Sequence, residues 1–245
     1  MHVRAAQPSD LPYLATIGRD ALFDDQLFQF LAPFRHQHPE CLRLGFLRRA
    51  KKRLHDGHLI LAAVSDEKDS WWDGQERVLG TISAISTKQK EEHKKTSWFS
   101  WDALELRLLR LEDLIEWYTF ADRSISRSAW LQFFRNVSER GPLADVKEYW
   151  DLDHLSVDPA HHGKGVGKAL VRHVQGLATN DNLPIVLVAS NQGYPFYIKL
   201  GFVDKGGFEM GPSQVNQAMI WYPADTEMAS GVPKSNDTPD EIRTL

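Results

Sequence analysis

The sequence contains only one cysteine, Cys41, among its 245 residues. A chain with one thiol cannot form an internal disulfide, which fits a reducing compartment and predicts a cytoplasmic protein. The sequence also lacks any run of about 20 apolar residues, the length that crosses a bilayer, and residues 1–10 are too polar for a secretory signal. We therefore expect no membrane span and no membrane partner.

Positive charge is not in excess either. The chain has 29 Lys and Arg against 33 Asp and Glu, a formal net charge of -4. Surfaces that bind nucleic acid are usually basic, so we expect no nucleic-acid partner. Tryptophan, in contrast, is abundant: eight residues predict large aromatic surfaces in the core or along a pocket.

The hydrophobic pattern predicts one domain over residues 1–223 and a disordered polar tail over 224–245. The predicted strands cover residues 2–6, 58–64, 77–86, 149–157, 184–189, 202–208 and 217–221. The predicted helices cover about 10–19, a stretch from 24, then 39–55, 100–120, 126–137, 165–179 and 194–200.

Residues 87–148 lie between two predicted strands and are too long and too periodic for a simple loop, so they predict a helical insertion. Its charged start, residues 88–95, predicts a mobile loop. The helix over 100–120 has an apolar set spaced as on one helix face. That set is Leu104, Leu108, Leu111, Leu114, Ile115 and Tyr118.

Residues 155–170 combine a strand, a proline stop, a glycine-rich turn and a helix start. Glycines let a backbone turn sharply, and free N–H groups at a helix N-terminus bind anions. Lys164 and Lys168 add positive charge, so the segment predicts a phosphate or pyrophosphate site. The spacing fits neither a P-loop nor a dinucleotide fingerprint; a connector that binds nothing is the alternative.

Two stretches of the sequence resemble the GNAT acyltransferases. Residues 162–167 (HGKGVG) resemble the pyrophosphate loop Arg/Gln-x-x-Gly-x-Gly/Ala, with both glycines matched at Gly165 and Gly167 and the first position changed to His162. Residues 189–202 (ASNQGYPFYIKLGF) resemble the family's Asn…Phe-Tyr-x-Lys-Leu-Gly-Phe signature. The resemblance is strong over about 149–208, fair over the first 86 residues, and absent from the insertion and tail.

The resemblance implies a small GNAT protein of the fungal type with a helical insertion. The implied fold class is α+β, in α/β/α layers: a mixed, mostly antiparallel, twisted sheet that splays at its central strands. Helices are expected on both faces, with the insertion before the fourth strand. The implied co-substrate is acetyl-CoA or a close acyl-CoA relative, and the implied reaction needs no metal.

The resemblance also implies roles for individual residues. Tyr197 matches the tyrosine that protonates the leaving thiolate in many family members, and a free phenol is protonated at neutral pH. Backbone N–H groups near the end of the fourth strand would bind the pantetheine arm and polarise the thioester carbonyl. The expected cofactor-binding residues are Leu155, Ser156, Val157, His162, Gly163, Lys164, Gly165, Val166, Gly167, Lys168 and Asn191.

The general base has two candidates. Family members often place a carboxylate at the position of Asp153, and His154 competes because an imidazole titrates near neutral pH. Strand alternation would put Asp153 on the face of Leu155 and His154 on the opposite face. A structural role for either residue is the alternative. His161 and His162 are adjacent, with no third ligand at a metal-site spacing, so we expect no metal.

The insertion carries several aromatic residues and is expected to lie over or beside the acceptor site. It should narrow the groove that a peptide needs, so we expect a small-molecule primary amine as acceptor. A protein or peptide acceptor, and a non-catalytic acyl-CoA-binding protein, are the alternatives. The oligomeric state is expected to be a monomer or a homodimer.

Overall fold

The computed structural model describes residues 1–95, 97–137, 141–211 and 214–224. The tail predicted to be disordered lies outside the described residues after Ala224, so that expectation stays a prediction. The strands are β1 (His2–Ala5), β2 (Leu59–Val64), β3 (Val78–Ser86), β4 (Trp150–Val157), β5 (Ile185–Ala189), β6 (Val203–Gly211) and β7 (Gln214–Trp221). The helices are α1 (Leu11–Leu22), α2 (Gln26–Leu31), α3 (Pro39–His55), α4 (Thr87–Lys94), α5 (Trp101–Thr119), α6 (Arg127–Val137), α7 (Val166–Asp181) and α8 (Tyr194–Lys199).

The strands form one seven-stranded sheet in the order β1-β2-β3-β4-β5-β7-β6. Every pairing is antiparallel except that of β4 with β5. Helix α7 packs on one face over β1 to β4, whereas α1 and α3 pack on the other. Apolar cores fill the space on both faces. The predicted fold class is therefore confirmed.

The sheet opens between its two parallel strands. β4 and β5 pair only through Trp150 with Ile185 and Asp151 with Val186. Both strands continue past these pairs, β4 to Val157 and β5 to Ala189, without further pairing. The splay expected from the sequence resemblance therefore lies at the centre of the sheet.

A β-bulge at Asp153 corrects the predicted alternation of side chains along β4. Ala84 of β3 pairs with Leu152 and Ser83 pairs with His154, so Asp153 is an extra residue without a partner in β3. An extra residue shifts the facing of the strand by one position. As a result, the side chains of Asp153 and His154 both contact the α3 side, while Leu155 packs against the core under α7.

The start of the insertion is a helix and not the predicted mobile loop. The Ser86 hydroxyl accepts a hydrogen bond from the Gln89 N–H, and the Gln89 side chain accepts one from the Ser86 N–H. This reciprocal capping box nucleates α4. The loop prediction was wrong because it relied on the charge of the segment and overlooked the Ser86–Gln89 capping box that starts the helix.

Helix α5 packs on α3 through charged residues. Arg48 pairs with Glu116, Lys52 pairs with Asp113, and the His55 ring lies 2.8 Å from an Asp102 oxygen. These ion pairs turn the apolar set of α5 outward: Leu104, Leu108, Leu111, Leu114, Ile115 and Tyr118 are all exposed. None of the described helices is long and apolar enough to cross a membrane.

Candidate active site

The splay between β4 and β5 opens into a cleft of about 1070 Å³. One end is formed by the loop before α7, the middle by the separated strands, and the other end by α2, α3 and α6. Separated strands leave backbone N–H and C=O groups unpaired in the cleft wall, where they can bind an extended ligand. The cleft therefore joins an anion-binding loop to an aromatic chamber.

The loop before α7 has the geometry of an anion site. Gly165 precedes the helix with a φ of 83°, a conformation that side chains disfavour. The first N–H groups of α7 have no acceptor within their own helix and point towards the loop. Gly165 and Lys168 line the cleft here, whereas the Lys164 ammonium lies 5.0 Å from the Trp71 ring. The backbone and Lys168 thus fit a diphosphate.

The two histidines of this loop have separate partners. His162 Nε2 donates to the Val157 carbonyl oxygen at 3.0 Å, and His161 Nδ1 lies 3.0 Å from an Asp158 oxygen. Within the described ranges, no three His, Cys, Asp or Glu side chains are grouped as metal ligands. The expectation that the reaction needs no metal stays a prediction.

Gly167 lets three elements approach one another at the open end of the splay. A Cβ at this position would lie 3.3 Å from Phe196 Cζ and 3.6 Å from Val157 Cγ2. Val157 ends β4 and Phe196 lies on α8, so Gly167 lies where the loop before α7 meets the separated strands. A larger side chain would press against both residues.

Tyr197 lies on α8 and lines the cleft. Its ring packs edge-on against Phe196 and Phe202, with centroid distances of 5.2 and 5.4 Å. Burial raises the pKa of the Tyr197 phenol above its usual value. The phenol therefore stays protonated through the physiological range and can act as a proton donor.

Asp153 and His154 both line the cleft on the α3 side, but their electrostatic environments differ. Asp153 Oδ2 accepts a hydrogen bond from Arg53 Nε at 2.6 Å. Burial, reinforced by the charge of Arg53, lowers the pKa of His154 to about 3, and its Nε2 lies 3.1 Å from the Ser156 hydroxyl. His154 is therefore a neutral ring and a weak base.

The lowered pKa of His154 predicts an acid-dependent loss of stability. The unfolded chain binds a proton on this residue below its ordinary pKa of 6.5, whereas burial in the folded protein lowers this pKa to about 3. The contribution of His154 to the free energy of unfolding is fully present above pH 6.5. Below that pH it falls by up to about 1.4 kcal/mol per pH unit. Urea unfolding at several pH values should show a shallower decline for His154→Gln than for the wild type.

His173 provides the matched control, because it is exposed on α7. The free energy of unfolding of His173→Gln should fall as steeply as that of the wild type when the pH is lowered. An equal slope for His154→Gln and the wild type would show that His154 titrates normally in the folded protein.

Comparison with known proteins identifies a family for the part of the chain that carries the cleft. Residues 134–204, which include β4, the glycine loop, α7 and α8, match the family model of the acetyltransferase (GNAT) domain. The chain contains a GNAT acetyltransferase domain. The family recognised from the two sequence motifs is confirmed, and it is a family of acyltransferases.

The chain is similar in sequence to a fungal protein and similar in fold to bacterial proteins. A protein named acetyltransferase from Stachybotrys chartarum is 25% identical over 204 residues, which cover 82% of this chain and 79% of that protein. The fold is similar to that of a Corynebacterium glutamicum protein described as histone acetyltransferase HPA2 and related acetyltransferase, with a TM-score of 0.57, 18% identity, and coverage of 92% of this chain and 98% of that chain. It is also similar to an N-acetyltransferase from Staphylococcus aureus Mu50, with a TM-score of 0.54, 17% identity, and coverage of 90% and 100%.

Most of the predicted site residues of the GNAT domain line one cleft. These are Asp153, His154, Leu155, Ser156, Val157, His162, Gly163, Gly165, Val166, Gly167, Lys168 and Tyr197. Lys164 and Asn191 are not among the lining residues. The Asn191 side chain donates to Gln26 Oε1 at 3.3 Å, which ties α2 to the loop after β5. A contact of Asn191 with the cofactor arm stays a prediction.

Several residues of the cleft wall were missed from the sequence. Arg49 and Phe46 come from α3, Trp130 from α6, and Phe28 from α2. Asp25 caps α2 by accepting from the Leu27 N–H at 2.9 Å, and burial raises the pKa of its carboxyl. For Arg49 a signal was available, because it is spaced three residues after Phe46 and so shares its helix face.

Proposed function

We propose that the protein transfers an acetyl group from acetyl-CoA to a primary amine of a small molecule, by direct attack in a ternary complex. The observation that carries this proposal is the continuous cleft from the start of α7, through the β4–β5 splay, to Tyr197 and Asp153. Its shape suits a long co-substrate with a charged diphosphate at one end and a thioester at the other. The proposed cytoplasmic location and the monomeric or homodimeric state rest on the sequence alone.

The diphosphate of acetyl-CoA would bind at the N-terminus of α7, against the loop N–H groups and Lys168. The pantetheine arm would pass Gly167 and lie between β4 and β5. There, N–H groups freed by the splay at residues 155–157 would bind the arm and polarise the thioester carbonyl. Donors placed towards a developing oxyanion stabilise the transition state and not only the substrate.

The nitrogen of the neutral amine would attack the thioester carbonyl carbon, forming the C–N bond as the C–S bond breaks. We assign Asp153 to accept the ammonium proton, directly or through a water, because its carboxyl group lines the cleft and is held by Arg53. His154 is a poorer base because its pKa is about 3. The Tyr197 phenol would donate its proton to the departing thiolate and regain one from solvent.

The acceptor end of the cleft supports a small acceptor. Phe28 on α2 and Trp130 and Phe133 on α6 form part of its wall. Helices α2 and α6 contact each other, so the insertion narrows the side from which a peptide would enter. A protein acceptor remains the second outcome of the test below.

The test is a screen of thiol release from acetyl-CoA with small amines and with lysine-containing peptides, with products identified by mass spectrometry. We expect amine-dependent release with at least one small amine, and an acetylated amine of matching mass. Greater turnover with peptides than with every small amine would contradict the small acceptor. Binding of acetyl-CoA without transfer to any amine would contradict the enzymatic proposal.

A further inference from the structure

Arg49 is a cation at the aromatic end of the cleft, and no described residue forms an ion pair with it. Its guanidinium carbon lies 4.4 Å from the centre of the Phe46 ring, 5.7 Å from that of Phe28 and 5.9 Å from that of Trp130. No described residue places an acceptor within hydrogen-bonding distance of its buried Nη2, and the same holds for the buried Nε1–H of Trp130. Both residues line the cleft, and each holds one buried N–H group without a hydrogen-bond acceptor among the described residues.

The charges of two carboxylates, Asp122 and Glu116, act on Arg49 without an ion pair to it. Asp122 Oδ1 accepts hydrogen bonds from the Ser124 N–H at 2.8 Å and the Ser124 hydroxyl at 2.6 Å. Glu116 pairs with Arg48. Among the described residues neither carboxylate lies within ion-pairing distance of Arg49, so the guanidinium makes no ion pair with them.

Keeping this cation in the cleft wall is unfavourable. Burial, with the positive charges of Arg53 and Arg48, lowers the pKa of Arg49 to about 10, which still leaves the group charged at neutral pH. A buried charge without a partner costs free energy, and unsatisfied buried polar groups are uncommon in native proteins. An anion that entered the cleft would remove this cost.

We propose that the acceptor amine carries a carboxylate, and that this carboxylate binds between the guanidinium of Arg49 and the indole N–H of Trp130. A guanidinium offers parallel N–H groups that match the two carboxylate oxygens, and the indole adds a third donor. The Phe28 and Phe46 rings form walls for an apolar body. The substrate class is an amino acid with an apolar or aromatic side chain; this inference rests on the proposed acetyl transfer.

The position of Arg49 suits an acceptor that reaches the reacting centre at the same time. Arg49 precedes Arg53 by four residues on α3, and residues at this spacing are neighbours, about 5–6 Å apart at Cβ. Arg53 holds Asp153, the proposed base, at the β4 bulge. One small zwitterion can therefore place its carboxylate at Arg49 and its amine near Asp153.

The test compares amino acids with the amines that lack only the carboxylate: phenylalanine with 2-phenylethylamine, tryptophan with tryptamine, and leucine with isoamylamine. Wild-type kcat/KM is expected to be higher for the acid of at least one pair, by about 30-fold or more. Arg49→Gln should lower kcat/KM for the amino acid by a similar factor and leave kcat/KM for the decarboxylated amine almost unchanged. Trp130→Phe keeps the ring and removes the N–H, so it should lower the value for the acid by a smaller factor.

Lys51→Gln is the matched control, because it removes one positive charge from an exposed position on α3. It should leave both substrates of each pair unchanged. Calorimetric binding of the acetylated acid to wild type and Arg49→Gln, with thermal unfolding of both, gives a readout that does not depend on turnover. Binding should weaken in Arg49→Gln without a fall in melting temperature.

Two results would overturn the inference while the proposed acetyl transfer stands. One is a set of accepted amines that all lack a carboxylate. The other is an equal effect of Arg49→Gln on both members of every pair. If no amine is acetylated at all, the proposed function fails and this inference fails with it.

Discussion

Replacing Tyr197 by phenylalanine should lower kcat by about 100-fold or more, since proton transfer by a positioned side chain contributes on that order. The affinity for acetyl-CoA should not change, because the ring and its packing on Phe196 and Phe202 are kept. Only the proton donor for the leaving thiolate is removed. Steady-state kinetics and calorimetric titration of acetyl-CoA measure the two effects separately.

Tyr194 provides the matched control on the same helix. Its hydroxyl donates to Asp204 Oδ2 at 3.1 Å, and it does not line the cleft. Tyr194→Phe should therefore keep the wild-type kcat.

Because the pKa of Tyr197 is raised, the wild type should show no alkaline loss of activity from this phenol until above about pH 10. Full activity of Tyr197→Phe would remove Tyr197 from the mechanism.

Replacing Gly167 by leucine should weaken acetyl-CoA binding by about 100-fold, or about 2.8 kcal/mol. The new side chain would occupy the gap between Val157 and Phe196 through which the arm of the co-substrate is proposed to pass. Calorimetry with acetyl-CoA and with free CoA measures the loss, and both ligands should be affected because both contain the arm.

Gly176→Leu makes the same change nine residues later on α7, at an exposed position where a Cβ meets nothing within 4 Å. Both substitutions gain helix propensity, so a difference between them reports the cleft and not the helix. Gly176→Leu should bind acetyl-CoA as the wild type does. Tight binding by a folded Gly167→Leu protein would contradict the proposed path of the co-substrate.

Features set by local sequence were predicted well. Helix α3 begins at a proline and is followed by Gly57. The sequence and the structure both give this helix as residues 39–55. The strand, glycine turn and helix around Gly165 follow from residues adjacent in the chain. The family was recognised from two local motifs, residues 162–167 and 189–202, and this recognition is confirmed.

Features set by contacts between distant segments were not predicted. The bulge at Asp153 depends on how β3 pairs with β4, and a pattern of period two cannot place an extra residue. The outward apolar face of α5 follows from ion pairs with α3, more than 45 residues earlier in the chain. The chamber around Arg49 joins α2, α3 and α6, which no single motif contains.

A crystal structure of the protein with acetyl-CoA or CoA would test the central claim most directly. The account predicts the diphosphate within hydrogen-bonding distance of the N–H groups at the start of α7. It also predicts the pantetheine arm between β4 and β5, with the sulfur beside the Tyr197 hydroxyl. A co-substrate bound on another surface, with β4 and β5 empty between them, would contradict it.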